Sequence, residues 1–186
     1  AIPNNDPAYE FEFTEWTATG ITLSDEQKKS STISITVNNE NIKLVAGFKK
    51  VGVNVTVQSE NYEQGQVAIL YPNGYTRTTY GVTKNAEFTD TVKKGARISF
   101  AVFDSPKLKI CSRWKVMENG IDITESIPES DWTEKQLDYR KYKSPFISVN
   151  NDITVTAFFS DRDGNNVSVS AVPPDMGTVS IVGGTY

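Results

Sequence analysis

Histidine is missing from all 186 residues. That absence excludes Ser-His-Asp and Cys-His catalysis, histidine-ligated zinc and histidine-based pH switching within this chain. Cysteine is almost missing as well. Cys111 alone can form neither an internal disulfide nor a Cys-rich metal site, and one free thiol fits the cytosol as well as an exported bacterial protein that never relied on disulfides. No apolar run comes near the roughly 20 residues a membrane helix needs, so no membrane insertion is expected of this fragment. Basic runs stop at two residues (Lys28-Lys29, Lys49-Lys50, Lys93-Lys94), and the net charge is -4 with a pI near 5.0. Phosphate and anionic headgroups would not be attracted, so nucleic acid is not an expected partner. The chain opens Ala1-Ile2-Pro3 without an initiator Met or a signal peptide, and is expected to be a mature or trimmed form, with any targeting segment out of view.

What is present is β-rich. Hydrophobic residues at 38% and aromatics at 11% suffice for a packed core. Val53, Val55 and Val57 alternate with Asn54, Thr56 and Gln58, the period of a half-buried strand. The same alternation recurs at Ile98-Phe100-Val102 and at Ile153-Val155-Ala157-Phe159. Ile33-Ile35-Val37 and Ile42-Leu44-Ala46 suggest two more strands, joined as a hairpin through Asn38-Asn39-Glu40-Asn41. Gly65, Pro72-Asn73-Gly74, Lys94-Gly95 and Asn119-Gly120 punctuate the rest. One segment reads differently. From Ser130 to Arg140 a cap residue, a following Glu134, and Trp132, Gln136 and Tyr139 at helical spacing predict one short helix near 130–140. Ser24-Asp25-Glu26-Gln27-Lys28 is a shorter counterpart. The expected fold class is mainly β, as tandem small antiparallel repeat domains, sandwich-like or β-grasp-like.

The repeat is the main signal. Val55-Thr56-Val57 and Gly65-Gln66-Val67-Ala68-Ile69 return, 112 positions later, as Val167-Ser168-Val169 and Gly177-Thr178-Val179-Ser180-Ile181. Val37-Asn38-Asn39 through Ala46-Gly47-Phe48 resembles Val149-Asn150-Asn151 through Ala157-Phe158-Phe159. Trp16 with Gly20-Ile21-Thr22-Leu23-Ser24 parallels Trp114 with Gly120-Ile121-Asp122-Ile123-Thr124. The expected layout is the latter part of a first repeat over 1–50 and a complete repeat over 51–160, with insertions at 71–90 and 125–142. A linker over 161–166 and the opening strands of a third repeat over 167–186 follow. The two ends hold complementary parts. The tail would then dock on its own N-terminal half or on another chain head-to-tail; otherwise the compact units fall at 9–103 and 104–186.

The order V-x-V, G-x-V, a strand after Lys94-Gly95, a tryptophan, and a hairpin ending in A-x-F resembles the internalin-B-type repeats of bacterial surface proteins. Val169-Ser170-Ala171-Val172-Pro173-Pro174-Asp175-Met176-Gly177-Thr178-Val179 is similar to the family's opening, and Phe13-Thr14-Glu15-Trp16 to its F-x-x-W. Cys111 sits where an aromatic is usual. The resemblance implies a β-rich stalk or adhesive module, extracellular at the cell surface, with no catalytic residues. It makes Trp16 and Trp114 the repeat tryptophans that anchor the core, and Phe48 and Phe159, at the matching strand ends, are expected in the structural core with them.

Function beyond scaffolding has few candidates. Tyr71, Tyr75 and Tyr80, near Tyr62 and around Pro72-Asn73-Gly74, could stack on sugar rings or anchor a protein partner. A protein or glycan ligand is therefore the expected partner, and a carbohydrate-binding module of an exported glycan-processing protein is the alternative function. Asp161-Arg162-Asp163-Gly164-Asn165-Asn166 imitates the start of a calcium loop. Asn166 stands where glycine is required and Val172 where glutamate is, so a polar linker is expected and no metal. Glu60, Glu63, Asp104, Asp122, Glu125, Glu129, Asp131 and Glu134 supply carboxylates, but no cleft is marked that would separate two of them into acid and base. No enzyme and no cofactor is expected.

Overall fold

The computed structural model describes residues 1–38, 41–61, 63–72, 87–104, 109–137 and 140–161. In chain order the elements are β1 (Glu10–Thr19), α1 (Asp25–Lys29), β2 (Lys43–Val51), β3 (Val53–Ser59), β4 (Gln66–Leu70), β5 (Glu87–Val92), β6 (Ala96–Asp104), β7 (Lys109–Glu118), β8 (Ile121–Asp122), β9 (Trp132–Leu137), β10 (Arg140–Val149) and β11 (Ile153–Asp161). Two short 3-10 turns, Thr124–Ser126 and Glu129–Asp131, precede β9. The protein is mainly β, as the alternation of its apolar residues requires.

Strands from β3 onward form two sheets, ordered β5-β3-β11-β7-β8 and β4-β6-β10-β9. Their inner faces meet in one core. Val55 and Val57 of β3, Val155, Ala157 and Phe159 of β11, and Trp114 and Val116 of β7 face Ile69, Ile98, Phe100 and Val149 of the second sheet. All ladders in this pair are antiparallel except one. β3 runs parallel to β11, with Val55 opposite Ile153, Val57 opposite Val155 and Ser59 opposite Ala157. Along β10 the buried side changes phase at Ser144-Pro145: before it β10 pairs with β9, after it with β6. Pro145 has no N–H to give the β6 ladder. The buried Ser144 hydroxyl instead donates to the Phe100 carbonyl at 2.6 Å, so the interruption leaves that acceptor satisfied.

β1 and β2 form a separate two-stranded antiparallel sheet. It meets the sandwich where β2 runs through Gly52 into β3. Lys93 donates its N–H to the Ala8 carbonyl at 2.8 Å, and Lys50 pairs with Asp90 at 2.8 Å. The ladder inside this sheet repeats one inside the sandwich. Trp16 stands opposite Ala46 and Phe13 opposite Phe48, so Thr14 and Glu15 bulge against Gly47 alone. Trp114 stands opposite Ala157, Arg113 opposite Phe158 and Cys111 opposite Phe159, so Ser112 is the extra residue and shares Phe158 with Arg113. Both bulges put two residues against one at the same distance from a tryptophan. Both indoles donate to a backbone carbonyl, Trp16 to Ser30 at 2.9 Å and Trp114 to Lys143 at 2.7 Å. Each tryptophan strand then returns through a glycine with φ of +81°, Gly20 or Gly120, into a short helical turn. That φ lies in the left-handed region, where side chains with a Cβ are disfavoured.

Several expectations are corrected. The short helix near 130–140 is not formed: residues 129–131 make a 3-10 turn and Trp132–Leu137 is β9, paired residue for residue with Arg140–Pro145. A solitary helix of this length is marginal, and the β10 partner offers cross-strand ion pairs such as Lys141 with Glu134 at 2.8 Å. The capping box forms instead at Ser24, whose hydroxyl accepts from the Gln27 N–H while the Gln27 side chain accepts from the Ser24 N–H. Ile33-Ile35-Val37 is not a strand and makes no hairpin with β2, which pairs with β1 instead; Asn39 and Glu40 lie outside the described residues. Residues 87–90, inside the stretch read as an insertion, belong to β5 and pair with β3. The core spans Val55 to Phe159 without a break near 103–104, which rules out compact units divided there. Trp114 and Phe159 are core. Phe48 is not, at 40% exposure against 8% for Phe159, since no second sheet covers it among the described residues. Trp16 is half-buried on the hairpin, outside the sandwich core.

Candidate functional site

Of the three candidate tyrosines, Tyr75 and Tyr80 lie outside the described residues, as does Tyr62. Tyr71 is placed just after β4, half-buried, with its hydroxyl engaged inside the protein. That hydroxyl donates to Asp90 Oδ2 at 2.7 Å, beside Tyr9, whose hydroxyl donates to the same oxygen at 2.8 Å. The two rings sit 5.4 Å apart and tilted, and the Lys50 ammonium lies 3.8 Å from the Tyr9 ring centre while bonding Asp90 Oδ1. Burial pushes the Asp90 carboxyl up, but the hydrogen bonds from Lys50, Tyr71 and Tyr9 together outweigh it and hold it below the usual carboxylate range. Burial raises both phenols, with Asp90 adding to the effect, and Tyr9 is pushed up to about 12. This cluster ties the β1–β2 sheet to the sandwich. It is a joint, and Tyr71 belongs to it. Sequence reasoning passed over Asp90; the signal that could have marked it is an Asp in mid-strand, which is disfavoured there, flanked by Thr89 and Thr91.

A concavity lies elsewhere. An open groove of about 750 Å³ runs between the outer surface of β7 and the two 3-10 turns. Its floor holds Arg113, whose guanidinium stacks 4.0 Å from the Phe158 ring, and its walls include Trp132, Ile127 and Glu125. Two ion pairs flank it, Lys115 with Asp122 at 3.6 Å and Lys143 with Glu129. Asp122 is held in place by Thr124, which donates through its N–H at 3.0 Å and its hydroxyl at 2.6 Å. Those bonds lower the Asp122 carboxyl below the usual range. The Thr124 hydroxyl in turn accepts from the Val116 N–H at 2.9 Å, fixing the turn to β7.

Asp90 and Asp122 are both shifted down, the opposite of what a general acid needs. Cys111 is buried, and burial pushes its thiol up to about 12, far from a nucleophilic thiolate. Among the described residues no three Cys, Asp or Glu side chains converge as metal ligands. Asp161 pairs with Lys109 at 2.7 Å, and the remainder of the calcium-like stretch lies outside the described residues. Of the carboxylates noted in the sequence, Asp122, Glu125 and Glu129 line the groove; Asp131 pairs with Arg97 and Glu134 with Lys141. Compared with known proteins, the chain matches no family model, no curated protein and no solved structure.

Proposed function

We propose that this chain is a non-catalytic repeat module of an exported bacterial cell-surface protein, of the internalin-B-type, acting as stalk or adhesion module. The observation that carries the reading is the shared ladder. Trp16 opposite Ala46 and Trp114 opposite Ala157 have the same register and the same two-against-one bulge. Unrelated strands rarely share a bulge position, because a bulge shifts every later side chain to the other face unless compensated. The β2-to-β3 passage through Gly52 gives a head-to-tail link of the sort that strings modules along a stalk. Intact bacteria expressing the natural protein test the location. Protease shaving should release peptides of this chain, and antibodies to it should label unpermeabilised cells; labelling only after lysis would contradict the reading.

The groove on β7 favours a second reading, a carbohydrate-binding module. Its half-buried Trp132 beside Arg113, Glu125 and the flanking ion pairs combines an aromatic face with polar groups, as sugar recognition requires. A glycan array probed with the chain and with Trp132→Ala tests it. Binding lost in the variant supports this reading, and no glycan bound by either removes it.

A further inference from the structure

The β1–β2 sheet is half of a structure that the sandwich shows whole. In the sandwich β11 lies between β7 on one side and β3, running parallel, on the other. If β1 and β2 correspond to β7 and β11, the second edge of β2 is the place of a parallel strand like β3. Among the described residues no strand lies there. An isolated two-stranded sheet is marginal in water, and an open edge with an apolar face invites a strand.

We infer that the second edge of β2 binds the tail segment 167–181 of another copy of this chain, head-to-tail. The segment repeats β3 and β4 at an offset of 112, and carrying the β3–β11 register across places Val167 opposite Ile42, Val169 opposite Leu44 and Ala171 opposite Ala46. The pleat agrees without adjustment. Leu44 and Ala46 lie on the face that holds Trp16 and Phe48, while Ser168 and Ser170 fall beside Lys43 and the exposed Val45. A second correspondence comes from a glycine. Gly65 lies flat against the Phe159 ring, so close that a Cβ there would sit 2.2 Å from ring carbons. The counterparts of Gly65 and Phe159 are Gly177 and Phe48. Phe159 is 8% exposed beneath its glycine, whereas Phe48 is 40% exposed, and among the described residues no glycine packs on its ring. Gly177 on Phe48 would complete the hairpin as Gly65 on Phe159 completes the sandwich.

The donor is a second copy because of reach. The chain leaves β11 at Asp161, beside Lys109, at the end of the sandwich opposite to Gly52. Returning to the Gly52 end means retracing β11, about 27 Å at about 3.3 Å per residue. The link from Asp161 to Val167 extends about 20 Å at most. A tail too short for its own hairpin reaches that of a neighbour, which makes a heterologous, propagating contact.

The inference deepens the repeat reading, and the two fail separately: a chain that stays monomeric overturns the docking and leaves the surface test untouched. The full chain should show a mass that rises with concentration by light scattering. Gly177→Leu and Phe48→Ala should each return it to monomer while the thermal unfolding of the sandwich stays unchanged. Register is read by mixing single variants. Val45→Cys with Ser170→Cys should give a disulfide-linked heterodimer on oxidation, because neighbouring strands lie within disulfide span, whereas Glu12→Cys on β1 with Ser170→Cys should not. Cys111, being buried, serves as the unreactive background thiol. Monomer at every concentration, equal cross-linking from Glu12→Cys, or a Val45→Cys/Ser170→Cys double variant that closes only within one chain would each overturn the proposal.

Discussion

Trp114→Ala removes the largest side chain at the meeting of the two sheets. Trp114 is 3% exposed, lies 6.1 Å from the Phe100 ring, and donates its indole N–H to the Lys143 carbonyl at 2.7 Å. Burying an aromatic of this class removes about 150–250 Å² from water, which at about 25 cal/mol per Å² corresponds to roughly 4–6 kcal/mol before the alanine methyl is credited. The vacated space and the Lys143 carbonyl left without its donor work in the same direction. The expected loss is about 3–5 kcal/mol, the range for truncating a large buried aromatic. Trp16→Ala is the internal control. Its indole makes the same kind of bond, to Ser30, but the ring is only half-buried and outside the core, so about 1 kcal/mol is expected, the typical worth of one hydrogen bond and a partial burial. Trp114→Phe keeps most of the area and loses the donor, for about 1–3 kcal/mol. Urea titration followed by far-UV circular dichroism gives all three. Equal losses at Trp16 and Trp114, or a near-neutral Trp114→Ala, would refute the assignment of the core to the sandwich.

Other positions give sharp expectations. Gly65→Ala forces a Cβ into the Phe159 ring and should cost about 1–3 kcal/mol by overpacking, measured as a lowered urea midpoint with unchanged slope. Ser144→Ala leaves the Phe100 carbonyl without its donor beside Pro145, for about 1–3 kcal/mol in the same assay. Asp90 has its carboxyl held below the ordinary range in the folded chain, so its contribution is present above the unfolded carboxyl pKa and is lost as pH falls through the folded one; acid should loosen the β1–β2 joint, seen as a lower protection factor of the Lys93 amide against its intrinsic exchange rate at each pH, and Asp90→Asn should remove that pH dependence. The Cys111 thiol, buried and raised to about 12, should react with a thiol reagent only as fast as the sandwich opens, and fast labelling in native buffer would contradict its burial.

Strand content was legible because the apolar residues of β3, β6 and β11 alternate with polar ones, and only one face of each can be buried. The pairing partners were not. Residues 33–38 have the same alternation as β2, yet β2 pairs with β1, since a ladder is settled by long-range register that local pattern does not contain. The segment 130–140 carried a cap and helical spacing, but its partner β10 was the stronger influence, as tertiary context overrides propensity in short segments. The tyrosine stretch illustrates the limit at the site. Tyr71 reads as a surface aromatic until Asp90 is seen beneath it, and nothing in the spacing of 19 residues between them announces that contact. The β7 groove was equally hidden, being assembled from β7, two 3-10 turns, β9 and β10. Trp114 and Phe159 were legible as core because each is a large apolar side chain on a strand with alternating pattern; Phe48 has the same pattern, but among the described residues no second sheet covers it.

The equivalence of the two ladders carries the repeat reading, and backbone nuclear Overhauser contacts in an isotope-labelled full-length chain test it most directly. The expected result is Trp16 opposite Ala46 and Trp114 opposite Ala157, with Thr14-Glu15 and Ser112-Arg113 each bulged against a single residue. A β1–β2 ladder slipped by one residue, or one that runs without the bulge, would contradict the duplication and with it the proposed stalk module.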